Sequence, residues 1–249
     1  MNSIAKYLLS VLFLTVSISL FTIQIANAQM FSVGEASSQQ ERISFSYTSL
    51  SAGWEFADFS YTGNPSAVTN NNQFDFQDGV FRLLFETPGL NMYLGLAGGL
   101  TGMDSHNYLN IGAQLYNNFI LTRSDRFWLL LPLQINTDLK RSERDGADRS
   151  FQQSAFQVGT GLGIKSNLND TFKFQMSLLP NYGFSFSQGN FFGGSIFSLN
   201  GKARLYIENI FQEKALALGY DYNSQSYDID GEIFDYEFNG HTFSLGITF

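Results

Sequence analysis

The sequence predicts an all-β protein, a transmembrane antiparallel up-and-down β-barrel of about ten strands. Three observations support this class: a repeated alternation of apolar and polar residues, a regular alternation of short and long polar connections, and an N-terminal segment typical of secreted chains. Together they indicate a protein that crosses a membrane with strands rather than with helices.

The alternation has a period of two residues, which places one set of side chains on each face of a strand. In the clearest stretch, Phe172, Phe174, Met176 and Leu178 alternate with Lys173, Gln175 and Ser177. In a soluble sandwich the apolar face would be the core. In a membrane barrel it would face lipid, and the polar face would line the lumen. Alternation alone leaves both architectures open.

Strand length and connection length favour the barrel. We predict strands over 41–59, 77–86, 90–101, 107–121, 126–137, 151–166, 171–181, 192–207, 213–224 and 237–249. Many match the roughly 9–11 residues that cross a bilayer on a tilt. The connections alternate between short turns (86–89, 122–125, 167–170, 208–212) and mostly longer loops (60–76, 102–106, 138–150, 182–191, 225–236). Short periplasmic turns and long outer loops are the asymmetry of outer-membrane barrels.

The strand count depends on the first segment. Residues 43–61 could form one strand or a hairpin that bends near Gly53. One strand keeps the total even and both termini on the periplasmic side, and we prefer it; totals of eight or twelve strands stay open.

The N-terminal segment, residues 1–28, is predicted to be a secretory signal peptide. It carries Lys6, then an apolar run, and ends in Ala26-Asn27-Ala28. The alternative is a permanent helical anchor, since residues 7–26 are long enough to span a bilayer. The small residues at the end favour cleavage before Gln29, which leaves 29–249 as the barrel domain.

Composition excludes several classes of function. Without Lys6 the chain has 13 basic and 22 acidic residues, a formal charge of −9 (13 − 22), which argues against nucleic acid as a partner. The absence of cysteine removes disulfides and thiolate metal sites. No phosphate-binding glycine loop, metal-ligand cluster or cofactor motif is evident, so we expect no cofactor and no metal.

The C-terminal strand carries a resemblance to a known signal. Phe243, Leu245, Ile247 and Phe249 share one face of the predicted last strand, and Gly246 lies in the other phase. This pattern resembles the β-signal of small Gram-negative outer-membrane β-barrel proteins, which ends in a C-terminal Phe. The resemblance implies that the barrel-assembly machinery recognises these residues during biogenesis, and that the mature protein resides in the outer membrane, in contact with its lipid and lipopolysaccharide.

The polar phase predicts a charged lumen, lined by Arg42, Arg82, Glu86, Lys165, Lys173, Lys202, Arg204 and Asp221. Two interpretations stay open. The charges could pair and fill a narrow lumen, or their basic excess could favour anions in a small pore. By phase, Lys202 and Asp221 face inward on neighbouring strands, about one diagonal step apart, and we expect them to pair.

Catalysis is the weaker alternative. Only His106 and His241 offer imidazole bases, and Asp104-Ser105-His106 holds suitable residue types without evidence of triad geometry. The acidic segment 228–237 lacks the calcium-loop spacing, and the mixed-charge segment 138–150 is expected to be a solvated outer loop. We therefore predict a non-enzymatic outer-membrane barrel, with a structural or surface role or a narrow passive channel for small solutes. The alternative is an outer-membrane hydrolase acting on lipid or peptide at the outer rim.

Overall fold

A computed structural model of the chain describes residues 47–64, 66, 72–99, 101–103, 106–146, 150–187, 193–211, 214–229 and 234–249. The predicted signal peptide, Arg42 and the beginning of the first predicted strand lie outside the described residues. So do Asp104, Ser105 and the centre of the acidic segment, 230–233.

The described chain is built from strands. They are β1 (Ser49–Tyr61), β2 (Phe76–Glu86), β3 (Leu90–Ala97), β4 (His106–Arg123), β5 (Phe127–Arg144), β6 (Ser150–Thr160), β7 (Leu162–Asn167), β8 (Phe172–Ser187), β9 (Gly194–Phe211), β10 (Lys214–Ile229) and β11 (Tyr236–Thr248). Within the ranges given above, no helix is long and apolar enough to cross a membrane.

Strands adjacent in the sequence pair antiparallel, except that β6 and β7 do not pair with each other, and β1 pairs with β11, which closes the sheet. The strands β6 and β7 both lie between β5 and β8 and keep the same register with each of them. They therefore occupy one strand position in the wall, and we call each such position a stave. The wall is therefore a closed antiparallel barrel of ten staves, which confirms the predicted fold class and strand number. The single unbroken β1 also excludes the hairpin near Gly53.

The interruption between β6 and β7 falls on Gly161. A Cβ atom at this position would stand 2.0 Å from the carbonyl oxygen of Leu178 on β8. Only glycine permits so close a backbone approach, which accounts for its presence in the middle of a long stave.

The two ends of the barrel differ. At one end the connections are short (87–89, 124–126, 168–171 and 212–213), and Ser49 pairs with Thr248 there. We call this the turn end. At the other, the loop end, the connections are mostly longer (62–75, 98–105, 145–149, 188–193 and 230–235).

The strands β5, β8 and β10 extend further toward the loop end than predicted. The prediction of a loop over 138–150 is wrong, because β5 continues to Arg144 and pairs with β4 and β6 along this stretch. Asp138, Lys140 and Ser142 point inward and are buried. Their polarity suggested a solvated loop, but it belongs to the inner face of a strand. Likewise β8 reaches Ser187 and β10 reaches Ile229.

The two faces of the wall have opposite character. Every strand exposes large apolar side chains outward, for example Leu50, Leu83, Met92, Phe119, Leu133, Val158, Leu162, Leu178, Phe197, Leu218 and Leu245. The inward face buries polar and charged residues, including Glu55, Arg82, Asn110, Asn136, Asp138, Lys140, Gln157, Ser198, Arg204 and Gln225. An inverted distribution of this kind is typical of a barrel that faces lipid.

Candidate functional site: the lumen

Aromatic rings fill the lumen at the loop end. Phe151 contacts Phe59, Tyr227 and Tyr236, with ring centroids 4.8, 5.6 and 4.7 Å apart. Phe59 also stacks on Tyr236 at 5.0 Å. The cluster, which we call the aromatic layer, comprises Phe59, Phe76, Tyr108, Phe151, Tyr227, Tyr236 and Phe238 and is continuous with Met103, Ile196 and Ile229. Phe59 and Phe238 have no exposed surface, so water is excluded from this part of the lumen.

A polar layer lies directly beside these rings. Lys140 donates to Gln225 Oε1 at 2.5 Å, and Gln225 Nε2 donates to Asp138 Oδ2 at 3.0 Å. Tyr227 donates its hydroxyl to the same Gln225 oxygen at 3.0 Å. One glutamine from β10 therefore links an ammonium and a carboxylate of β5 across the lumen.

An ion pair between Arg82 and Glu55 continues this layer. The guanidinium of Arg82 lies 3.4 Å from Glu55, and both side chains are almost completely buried. The same guanidinium stacks 4.5 Å from the ring centroid of Tyr93. An unpaired buried charge is costly, so each of these two side chains stabilises the charge of the other.

Arg204 of β9 is the centre of a further group of charged residues, which lies nearer the turn end. Its Nε and Nη2 atoms donate to Glu86 at 2.7 and 3.0 Å, and Nη2 also donates to Asp221 at 2.8 Å. Its Nη1 atom donates to the carbonyls of Ala203 and Tyr220. Every nitrogen of the guanidinium has a partner, so this arginine joins β2, β9 and β10 structurally.

The predicted pairing of Lys202 with Asp221 is wrong. The two residues lie directly opposite each other in the register of β9 and β10, not on a diagonal. Lys202 instead reaches across the lumen and donates to Glu86 Oε1 at 2.5 Å, while Asp221 accepts from Arg204. Strand phase determines which side chains face inward, but it does not determine which of them meet across a lumen.

The turn end contains a cavity of about 100 Å³. Tyr47, Thr87 and Pro88 stand at its outer margin, and Arg82 and Tyr93 form its deep end. Polar side chains dominate the remaining wall, among them Gln114, Tyr116, Gln134, Lys165, Gln175, Asn200, Lys202 and Asp221. The lumen is thus closed by aromatic rings at the loop end and hollow at the turn end.

The margin of the cavity carries one further charged pair. Lys173 Nζ lies 2.7 Å from Glu208 Oε1, and the hydroxyl of Tyr47 donates to the same carboxylate. Burial and this hydrogen bond raise the pKa of the Tyr47 hydroxyl above its ordinary value. The Tyr47 ring also stacks on Tyr206, which fixes the segment that enters β1.

The predicted lumen residues fall into separate places. Arg82, Glu86, Lys165, Lys202, Arg204 and Asp221 line the cavity, Lys173 lies at its margin, and Arg42 is outside the described residues. The sequence analysis missed Glu55, Asp138 and Lys140. Glu55 is in phase with the inward Gly53 and Ala57, and that phase was the available signal. Asp138 and Lys140 were missed because they lie in the segment that was wrongly predicted to be a loop.

The predicted assembly residues lie at the closing seam of the barrel. Phe243, Leu245, Ile247 and Phe249 point outward and are exposed. Gly246 points inward, where a Cβ atom would stand 2.0 Å from Ser51 Oγ. The backbone N–H of Phe249 donates to the carbonyl of Thr48 at 2.9 Å, so the terminal residue is held beside β1.

The two histidines lie at different places on the barrel wall. His106 begins β4 at the loop end, with Nε2 3.4 Å from the carbonyl oxygen of Gln73. His241 is exposed on the outward face of β11, with Nδ1 2.9 Å from the hydroxyl of Tyr220. Across the described ranges no group of three or more potential metal ligands occurs.

Comparison with known proteins gives distant structural similarities. No protein-family model matches the chain, and no curated protein matches it. Among solved structures, it is similar to the outer membrane protease OmpT of Escherichia coli, with 8% identity, TM-score 0.39, and 82% of this chain and 96% of that chain covered. It is also similar to the toluene transporter TbuX of Ralstonia pickettii, with 11% identity, TM-score 0.29, and coverage of 81% and 72%.

A third similar structure is Ail, the attachment invasion locus protein of Yersinia pestis, with 13% identity, TM-score 0.26, and 82% of this chain and 97% of that chain covered. The activities named for these proteins belong to them. The fold class of this chain rests on its own strand pairing and on its own two faces.

Proposed function

We propose that this protein is an integral outer-membrane β-barrel with a closed lumen, which serves as a structural or surface component rather than as an open channel. The observation that carries the proposal is the aromatic layer, which fills the loop end of a barrel whose outer wall is apolar.

The outer wall supports residence in a membrane. Soluble monomers rarely expose contiguous apolar patches larger than a few hundred Å². Here apolar side chains project outward from all ten staves, among them Phe56, Phe119 and Leu162 with exposed fractions of 59, 48 and 58%. An apolar wall of this kind is suited to contact with lipid. In a closed sheet every strand has two neighbours, so the backbone N–H and C=O groups are hydrogen-bonded within the protein, as the membrane interior requires.

The unequal ends support one orientation. Short turns and both terminal strand ends lie together, as expected for the periplasmic end of an outer-membrane barrel. The loop end would then face outward, with the aromatic layer beneath the loops. The cavity would open toward the periplasm.

The closed lumen is tested by recording single-channel currents from the mature chain in planar lipid bilayers. We expect no stable conductance from the wild-type protein, because Phe59 and Phe151 meet in the middle of the aromatic layer. The double variant Phe59→Ala/Phe151→Ala removes both rings and should give current steps or a higher leak.

The matched control is Phe156→Ala/Phe184→Ala, which removes two stacked rings from the exposed outer wall and should stay silent. Liposome flotation verifies that each protein has inserted. Stable, ion-selective current from the inserted wild-type protein would overturn the closed lumen and favour the passive channel.

A further inference from the structure

We propose that the outer leaflet of the membrane is thinned beside β10 and β11, where lipid headgroups and water descend to meet a polar patch on the outer wall. The patch comprises the outward residues Ser224, Ser226 and Asp228 of β10 and Glu237, Asn239 and His241 of β11. They alternate with buried inward side chains such as Gln225 and Phe238. The inference rests on the proposed residence in the outer membrane, with the loop end outward.

The height of a residue on the wall follows from the register of the strands. Paired positions followed once around the barrel lead from Ser49 to Tyr61, 12 residues nearer the loop end on the same strand (61 − 49). A line at constant height therefore departs from the register by about 1.2 residues at each of the ten staves. The register leads from His241 to Leu178 on β8, three staves away. The position on β8 level with His241 is therefore Tyr182, about four residues further toward the loop end.

At equal height the two sides of the wall differ in polarity. Three successive outward positions of β8 carry exposed aromatic rings, on Tyr182, Phe184 and Phe186. The positions of β11 at the same heights are polar, and they are His241, Asn239 and Glu237. The apolar belt of the barrel therefore ends lower on β11 than on β8.

The belt on β11 is too short for an ordinary bilayer. Its outward apolar side chains extend from Phe243 to Phe249, six residue intervals. This is about 15 Å along the barrel axis, at roughly 3.3 Å per residue and a strand tilt of about 40°, against the usual band of about 25 Å. On β8 they extend from Phe172 to Phe186, 14 intervals (186 − 172), or about 35 Å by the same conversion.

The difference in height leaves the adjustment to the lipid. A tilt of the barrel would move both margins of the belt together, so it cannot compensate for a belt that is shorter on one side. A bilayer responds to a short apolar stretch by becoming locally thinner. We therefore expect the thinning to be confined to the side of the wall that carries the patch.

Two tyrosines mark the lower margin of the patch. The hydroxyl of Tyr220 lies 2.9 Å from Nδ1 of His241, and the hydroxyl of Tyr222 lies 3.5 Å from Oδ1 of Asn239. The ring of Tyr220 packs against Phe243 of the apolar belt, with the centroids 5.2 Å apart. Tyrosine is enriched where a ring meets lipid and a hydroxyl meets headgroups. This margin favours headgroups, rather than a partner protein, as the groups that cover the patch.

The test measures depth with spin labels, which the absence of cysteine from the chain makes possible at single chosen positions. His241→Cys and Tyr182→Cys each carry a nitroxide at the same height. Ile247→Cys and Met176→Cys are the matched control pair, because the same construction places them level with each other within the apolar belt. The labelled mature proteins are folded into vesicles of dioleoylphosphatidylcholine. Their accessibility to a water-soluble nickel chelate and to oxygen is then compared.

We expect the label at position 241 to be several-fold more accessible to the nickel chelate than the label at position 182. The control pair should show equal, low accessibility. Equal depth at positions 241 and 182 would overturn the thinning and leave the patch as a surface for a partner protein. An equally large difference within the control pair would indicate a tilted barrel and would also overturn it.

A second variant lengthens the belt. Asn239→Leu/His241→Leu replaces two polar side chains of the patch with apolar ones, and Ser224→Cys, directly opposite Asn239, carries the label. Accessibility of this label to the nickel chelate should fall several-fold when the two leucines are present. Unchanged accessibility would contradict the inference.

This outcome can be told apart from failure of the proposed function. Liposome flotation of each labelled protein precedes the depth measurement. Failure of the wild-type protein to float would contradict the membrane residence on which the inference rests. Equal depth at positions 241 and 182 in protein that has floated would contradict the thinning alone.

Discussion

Lys140 and Phe238 meet inside the barrel, with the Nζ atom of Lys140 3.2 Å from the centroid of the Phe238 ring. Their strands, β5 and β11, are not neighbours in the wall. The contact therefore crosses the lumen, at the boundary between the aromatic layer and the polar layer. A cation over an aromatic face is most favourable where water is excluded, which is the case for these two fully buried side chains.

At this boundary, we expect the stability of the barrel to be most sensitive to substitution of Gln225. Gln225→Leu removes its contacts to both Lys140 and Asp138 and leaves two buried charges without their bridge. We predict a loss of roughly 3–5 kcal/mol in the free energy of unfolding. Urea unfolding in lipid vesicles measures it. The control, Gln77→Leu on the exposed outward face, should change stability little, and an equal loss in both variants would contradict the bridge.

The Arg204 group predicts a specific coupling. Asp221→Ala should destabilise the barrel by about 3–5 kcal/mol, because Arg204 loses one of its two carboxylates. Adding Arg204→Met should cost clearly less than the sum of the single effects. Adding Lys202→Met should show a weaker coupling than Arg204→Met does, because Lys202 is connected to Asp221 only through Glu86 and Arg204.

A double-mutant cycle from urea unfolding distinguishes these cases. Strong coupling between Lys202 and Asp221, with none between Arg204 and Asp221, would show that the ion pairs are arranged differently. Small effects throughout would indicate a wet lumen in which water screens the charges.

Gly161 offers a steric test of the wall. Gly161→Ala places a Cβ atom 2.0 Å from a backbone oxygen of β8, which cannot move without disturbing the sheet. We expect a loss of about 1–3 kcal/mol in stability. The matched change Gly163→Ala meets its nearest atoms at 3.5 Å and should be tolerated. Unfolding curves that coincide for the two variants would exclude the close approach at Gly161.

The last strand predicts a defect in biogenesis. Deletion of Phe249 should slow assembly and accumulate unfolded precursor, because the terminal aromatic is the part that resembles an assembly signal. Pulse-chase labelling with heat-modifiability on gels measures the rate. Phe119→Ala, which removes an exposed aromatic from another strand, is the control. Wild-type kinetics in the deletion would show that Phe249 is not recognised.

The sequence allowed the class and number of strands to be predicted because alternation and turn spacing are local. Asp138 and Lys140 show where this reasoning stops. Polar residues near strand ends were assigned to loops, although inward polarity continues through the whole wall. The partners of Lys202 and Asp221 depend on reach across the lumen, and no local pattern encodes the distance from β9 to Glu86 on β2.

The seam between β1 and β11 has a consequence for how the barrel is made. All other staves pair with a neighbour in the chain, whereas this pair joins residues separated by nearly the whole domain, such as Ser49 and Thr248. Until β11 arrives, the sheet has two open edges whose backbone groups invite pairing with other chains. Aggregation before closure is therefore a hazard of the unfinished sheet, and any factor that shields those two edges would protect the assembly.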